Sequence, residues 1–341
     1  MSTVNKRRAI LLSVLAVIAL VIVFFATRGP SDFSGPGSGS AVVVVVRGDS
    51  ISGIGNALTQ AGVVASSDAF VNAANANPKS KSIGPGKYTM LKEMSGEGAV
   101  SYMLDPKSRA ESRLVLPEGL RVGQSIDTAS KATSIPVSDF NEALTKADQL
   151  GLPSYAKNNA EGFLFPASYD LAGDETADST LSMLFARFNK ASKQLSLESK
   201  AAGLGKTPYE VMTIASLVQA EGNPTDYNKI ARVIYNRLEK GMPLQLDTTV
   251  AYGLGITKVS LTAAELKQDS AYNTYVRKGL PAGPINSPGV EAINAALNPA
   301  KGKWLYFVTV NLDTGETKFA KNYNKFLKAK AELQAYLKNH G

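Results

Sequence analysis

The chain has 341 residues, 37 Lys and Arg against 29 Asp and Glu, and a formal net charge of +8; that length holds about two domains with a sizeable core. Cysteine is absent and the one histidine, His340, is the second-last residue. Thiolate nucleophiles, disulfide frameworks and Cys-based zinc sites are excluded, as are a Ser-His-Asp triad or a His metal site in the body of the fold. Acid–base chemistry near neutral pH is left to carboxylates, or to a perturbed Lys or Tyr. No tight basic cluster interleaved with aromatics occurs, so nucleic acid is not an expected partner.

Lys6, Arg7 and Arg8 precede an apolar run from Ala9 to Ala26 broken only by Ser13. At 1.5 Å per residue the run covers about 27 Å, enough to cross a hydrocarbon core. Its positive flank predicts a cytoplasmic N-terminus. A cleaved signal peptide is the competing reading, but the run is long for one and no A-x-A site follows. The expectation is a cytoplasmic tail over 1–8, a single-pass anchor over 9–27 and an extracytoplasmic body, placing the protein in the cell membrane. Residues 28–40 are almost wholly Gly, Pro and Ser and read as a flexible tether reaching about 20 Å.

A weak internal repeat follows. Val42–Val46 is a β-rich run succeeded by Gly48, an apolar-periodic segment with Ile51, Ile54 and Leu58, and a second helix near Asp68. Leu114–Leu116, Gly119, a segment with Val122 and Ile126, and a helix opening near Asp139 repeat that order, with the same 20-residue step from Gly to Asp. Each copy reads strand–turn–helix–turn–helix; Gly84–Met90 reads as a turn feeding a strand that closes the first. In Glu161–Tyr169, EGFLFPASY, the aromatics belong to a core, and Glu161 either faces a cleft or is tied to a backbone turn. A helix is expected over 178–197, with Leu181, Leu184, Phe185 and Phe188 as its stripe.

Thr207 and Glu210 form a capping box and Pro208 takes the first helical position. Val211, Ile214, Leu217 and Val218 then recur at helical spacing until Gly222 and Pro224 stop the helix. Glu221 is thereby the last helical residue, on the side of Ile214, Leu217 and Val218. The helix C-terminus and apolar neighbours both disfavour its ionised form, and a carboxylic acid protonated near neutrality suits a general acid. The plain alternative is a Glu fanning into solvent from a frayed turn. Thr225 is expected to cap a second helix with Ile230, Ile234 and Leu238, which also carries Asn236 and Arg237. Pro243–Tyr252 lacks a helical period and reads as extended, with Gln245, Asp247, Thr248, Thr249 and Tyr252 on alternating faces. Such side chains suit hydrogen bonding to sugar hydroxyl and acetamido groups, with Tyr252 as a stacking surface. Tyr272–Tyr275, YNTY, and Gly279–Gly289 form an irregular stretch expected to wall a groove. Trp304–Val310 and Glu316–Ala320 read as a hairpin, and a last Lys-rich helix carries Phe326, Ala329, Leu333 and Leu337.

ASLVQAEG, continued by VIYNRLEKGMPLQLDTTVAYG, resembles the signature of the MltG (YceG-like) endolytic murein transglycosylases. EGFLFPASY, YNTY and GLPAGPINSPG resemble further blocks of that family in the same order; Ala282 and Ala167-Ser168 are small departures in loops. The resemblance spans roughly residues 41–320 and implies that Glu221 is catalytic. It implies an α+β fold with an N-terminal transmembrane helix, a small LysM-like α/β unit over 41–108 and a mixed α+β catalytic domain over 109–341. Glu161, Gln245, Asp247, Thr249, Tyr252 and Asn273 are the expected substrate-binding residues. The implied chemistry is non-hydrolytic cleavage of the MurNAc–GlcNAc β-1,4 bond in nascent strands, leaving 1,6-anhydro ends, with no metal or organic cofactor. Peptidoglycan strands and the membrane are the expected partners, and cell-wall synthases are candidates. Two alternatives stay open: a hydrolytic muramidase with Glu221 as acid and Asp247 or Glu161 as base or nucleophile, and a non-catalytic glycan-binding scaffold.

Overall fold

The computed structural model describes residues 32–46, 48–109, 113–257 and 261–340, so the expected anchor over 9–27 lies outside the described residues. Among those described, no helix is long and apolar enough to cross a membrane. The chain divides into two compact units, Met1–Ser112 with Asp170–Asp174, and Arg113–Tyr169 with Glu175–Gly341.

In the first unit, β1 (Pro36–Val45) precedes α1 (Ile51–Gln60) and α2 (Ser67–Ala76), and β2 (Gly86–Met94) pairs antiparallel with β1, Val43 opposite Tyr88. Alternation along the valine run decides which side is core: Val43 and Val45 are buried while Val42 and Val44 are exposed, as a half-buried strand requires. Ser50 and Ser66 cap the two helices by accepting from Gly53 N and Ala69 N, each supplying a partner to an otherwise orphaned donor. Leu58, Phe70, Tyr88 and Met90 fill the core, with Met103 of α3 (Gly96–Leu104). α3 lies so near α2 that a Cβ on Gly96 would meet Ala69 O at 2.3 Å. The Gly/Pro/Ser stretch read as a tether is strand from Pro36 onward, because β2 extends far enough for Pro36 to pair with Met94 and Ser38 with Lys92.

The second unit opens with β3 (Arg113–Leu116), α4 (Val122–Thr133) and α5 (Val137–Leu144), and β4 (Ala167–Asp170) pairs with β3. Both copies of the sequence repeat are therefore β–α–α–β. The second closing strand is the end of EGFLFPASY, where Tyr169 is buried and donates its O–H to Phe165 O.

α6 (Ala177–Leu195) buries Leu181, Leu184, Phe185 and Phe188, and α7 (Leu197–Gly203) leads to α8 (Pro208–Glu221). The expected capping box is present at Thr207 and Glu210. α8 does more than show one apolar stripe: every residue from Val211 to Val218 is buried, which marks the central helix of its unit. It packs against α9 (Tyr227–Glu239) and α11 (Val290–Leu297), with α10 (Asp247–Gly253) against its end. Thr225 does not cap α9; Pro224–Asp226 forms a 3₁₀ turn that runs into it. β5 (Tyr306–Asn311) and β6 (Glu316–Ala320) form the expected antiparallel hairpin, and α12 (Tyr323–His340) packs on β5.

The extended reading of Pro243–Tyr252 is corrected: its second half is α10. Thr-Thr-Val favours strand by propensity, but burial overrides it. Thr249 and Val250 turn into the core, and Thr249 returns its O–H to Leu246 O at 2.7 Å.

Candidate active site

Glu221 ends α8 because Gly222 leaves it in extended backbone (φ −160°, ψ −176°) and Pro224 follows. The turn is tight: a Cβ on Gly222 would lie 2.1 Å from Ile230 Cδ1 of α9. Across the groove α10 offers its first two residues. Thr248 donates its O–H to Glu221 Oε1, and Asp247 accepts the O–H of Tyr275. Burial pushes the Glu221 carboxyl up to about 7; the Thr248 hydrogen bond opposes the rise and the Asp247 charge adds to it. Desolvation penalises the anion and a nearby like charge penalises it again. Glu221 is thus an acid that holds its proton near neutrality and can still release it.

Two hollows meet at this point. One, about 480 Å³, is bounded by Glu221, Gln245, Asp247, Thr248, Tyr275 and residues of β5 and α12. The other, about 430 Å³, is bounded by Glu118, Arg121, Gln219, Thr248 and Asn286. Asp247 and Thr248 border both. The first unit has a larger hollow of about 850 Å³, lined only by side chains of that unit and by none of the expected site residues.

The loop carrying Gln245 is held from α9. Arg237 donates Nε to Leu305 O at 2.6 Å and Nη1 to Pro243 O and Leu244 O at 3.1 and 2.8 Å. Its guanidinium lies 5.1 Å from the centre of the Tyr306 ring. Beside it, Asn236 donates to Gly302 O and Trp304 O. Gln245 has φ +51°, which costs a non-glycine residue roughly 1 to 2 kcal/mol, and its N–H is fixed to Thr274 O at 3.1 Å.

Of the expected substrate-binding residues, Gln245 and Asp247 share the groove with Glu221. Four others are elsewhere. Thr249 is wholly buried between Leu246 O and Thr274 Oγ1. Asn273 is wholly buried: it donates to Leu266 O and Gln268 O and accepts from Tyr275 N, so it shapes the loop and does not face the groove. Glu161, 5% exposed, accepts the Val122 N–H at the start of α4 and the Tyr252 O–H at 2.9 Å. It is the carboxylate tied to a turn, its pKa raised by burial and held down by those donors. The Tyr252 ring is already in contact, its centre 4.7 Å from that of the tilted Tyr272 ring and 5.2 Å from the Arg121 guanidinium. Neither Glu161 nor Tyr252 borders the two hollows around Asp247.

Thr248 is the functional residue the extended reading hides. In a strand, Asp247 and Thr249 share a face and Thr248 opposes them; the helix start turns Asp247 and Thr248 to the acid and Thr249 inward. Two substitutions test this geometry in opposite directions. Asp247→Asn removes a like charge and is expected to move the alkaline limb of the activity profile to lower pH. Thr248→Val removes a donor to the carboxylate and is expected to move it to higher pH, by up to about one unit, with roughly a tenfold loss of rate from misplacement. Initial rates measured from pH 5 to 9 give both shifts; displacement in the same direction would contradict the arrangement.

A carboxylic acid poised near neutral pH, with Asp247 and Thr248 beside it along the edge shared by two hollows, defines a carboxylate acid–base site. The chain carrying it belongs to the YceG-like family, whose model matches residues 43–332. It is 30% identical over 315 residues to a protein of Streptococcus pneumoniae named endolytic murein transglycosylase, an alignment covering 82% of this chain and 56% of that protein. It is 37% identical over 176 residues to one of Bacillus subtilis with the same name, covering 51% of this chain and 48% of the other. The chain thus spans about half the length of these curated relatives. A crystal structure of a YceG-like protein from Listeria monocytogenes is similar at 29% identity and a TM-score of 0.58, covering 85% of this chain and 99% of that one.

Proposed function

We propose that this chain is an endolytic murein lytic transglycosylase, anchored by its N-terminal apolar run and acting on glycan strands outside the membrane. The observation that carries the reading is Glu221, with its proton held to about pH 7 beside Asp247 and Thr248. Relatives named for this activity over most of the chain's length support it.

In the cycle, the Glu221 carboxyl gives its proton to the glycosidic oxygen of a MurNAc–GlcNAc bond as the C1–O4 bond breaks. The departing GlcNAc leaves with a neutral hydroxyl and C1 becomes oxocarbenium-like. The Glu221 carboxylate then takes the proton of the C6 hydroxyl of the same MurNAc, and O6 closes on C1. One group serves first as acid and then as base, so a pKa near the working pH is required. Asp247 keeps the proton on Glu221 before the first step, and Thr248 steadies the anion between the two. The first unit's β–α–α–β shape is read as LysM-like, a second glycan contact or a spacer.

The position of Asp247 favours one competing reading, a hydrolase in which that carboxylate activates water. Product mass decides between them. Digestion of purified glycan strands is expected to give 1,6-anhydro ends, about 18 Da lighter than reducing ends by the absence of one water. Reducing ends alone would make the chain a muramidase, and binding without cleavage a scaffold.

A further inference from the structure

The hollow that contains Glu221 has a far wall that the acid–base chemistry does not use. α12 presents Tyr323, Phe326 and Lys330 toward it, at i, i+3 and i+7, one face of a helix. Tyr306 of β5 stacks on Phe326, ring centres 5.3 Å apart and planes 28° from parallel, and Tyr323 lies 5.8 Å from Tyr306 and 5.9 Å from Phe326. The Arg237 guanidinium lies over Tyr306 and so links the cluster to α9. A buried aromatic trio would need no further account, but Tyr323 is 55% exposed. A large ring held in an aromatic cluster yet open to a groove is a surface on which a further ring can stack. Lys330 is exposed at the same wall, and among the described residues it has no ion-pair partner. The carboxylates of this hollow, Glu221 and Asp247, are already engaged with Thr248 and Tyr275.

We propose that Tyr306, Tyr323 and Phe326 with Lys330 form a glycan subsite that takes a carboxylate-bearing sugar residue: the rings receive the C–H face of a pyranose and the Lys330 ammonium pairs with the acid. The stacking surface selects a sugar ring of any charge, and the ammonium selects an anionic one, as charge-assisted hydrogen bonds to carboxylate do. In murein two groups supply that carboxylate, the lactyl ether of a MurNAc stripped of peptide and the stem peptide of an intact one. The subsite rests on the glycan-cleaving reading above. It adds that strands are held by an anionic residue away from the bond that breaks, so neutral chito-oligosaccharides are poorer ligands than murein of equal length.

The test uses the full chain carrying Glu221→Gln, which binds without cutting, and titrates three probes by calorimetry at low salt: chitohexaose, glycan strands stripped of stems, and strands with stems intact. Tyr323→Ala on this background is expected to weaken all three at least fivefold. Lys330→Glu is expected to weaken the anionic strands at least tenfold and to change chitohexaose affinity less than twofold. A loss confined to stripped strands identifies the lactyl carboxylate, and one confined to intact strands the stem. Both residues are exposed, and an unchanged thermal midpoint shows that the fold persists. If the parent binds glycan and the wild type cuts it, yet both variants bind every probe as the parent does, the subsite is wrong and the proposed function stands. If the wild type neither binds nor cuts glycan, both are overturned.

Discussion

Glu221→Gln is expected to lower strand cleavage by roughly 10²- to 10⁴-fold, the span that general acid–base catalysis contributes, while glycan binding persists. Gln keeps the shape of the side chain and can still accept from Thr248, but it has no proton to give. The wild-type profile follows from the same group. With the carboxyl raised to about 7, kcat/KM is expected to fall tenfold per unit as pH rises beyond 7, because the free enzyme loses its acid. Stability carries a matching signature. The ordinary value is 4.5 and the folded value is raised above it, so the folded state binds this proton more tightly than the unfolded chain does. The contribution is fully present below pH 4.5 and is lost as pH climbs through 7, at most about 3 kcal/mol in all. The Gln variant lacks that slope. Thermal midpoints of the two proteins, compared at pH 4.5 and pH 8, are therefore expected to diverge in favour of the variant at the higher pH. Cleavage by the purified variant at more than a tenth of the wild-type rate would remove Glu221 from the acid's role.

What the sequence disclosed and what it hid divide along a physical line. The two ends of α8 are set by neighbours in the chain: a capping box and a Pro at its first turn, and a Gly and a Pro after Glu221. Local signals of that kind are readable without a fold. The first unit's Val43/Val42 alternation and the Asn311–Gly315 turn between β5 and β6 are of the same type. α10 is different. Its helix exists because Thr249 and Val250 have a core to enter, and only that burial brings Thr248 to Glu221. Glu161 was legible as an acid beside a Gly but not as the partner of Val122, which lies 39 residues away. Asn273 likewise reads as a sugar ligand until the three backbone groups that occupy it are seen. Tyr323 and Lys330 lie on the Lys-rich last helix, and nothing in their own segment tells that α12 borders the hollow containing residue 221.

Arg237→Ala is expected to cost about 2 to 3 kcal/mol of stability, the scale of lost hydrogen bonds to a charged group and of backbone acceptors left without a donor, and to leave little activity at temperatures where the chain remains folded. The guanidinium ties α9 to the groove loop: one edge reaches Leu305 O at the head of β5, the other reaches Pro243 O and Leu244 O just ahead of Gln245. Removing it takes the donor from three part-buried carbonyls. The segment it releases already spends energy on the left-handed backbone of Gln245 and carries Asp247 and Thr248 two and three residues later. Loss of their placement acts on the acid itself, because Thr248 holds Glu221 and Asp247 helps set its proton affinity. Lys is not an adequate substitute. A single ammonium at the end of a flexible stem cannot meet acceptors on two sides at once, whereas the planar fork does. Arg237→Lys is therefore expected to recover a minor share of the stability and less of the rate, with an activity–pH profile displaced from that of the wild type. Denaturant unfolding of the three proteins, read beside their rates from pH 5 to 9, checks both halves. Full activity with an undisturbed profile in Arg237→Ala would mean that the groove loop holds Asp247 and Thr248 in place without the fork.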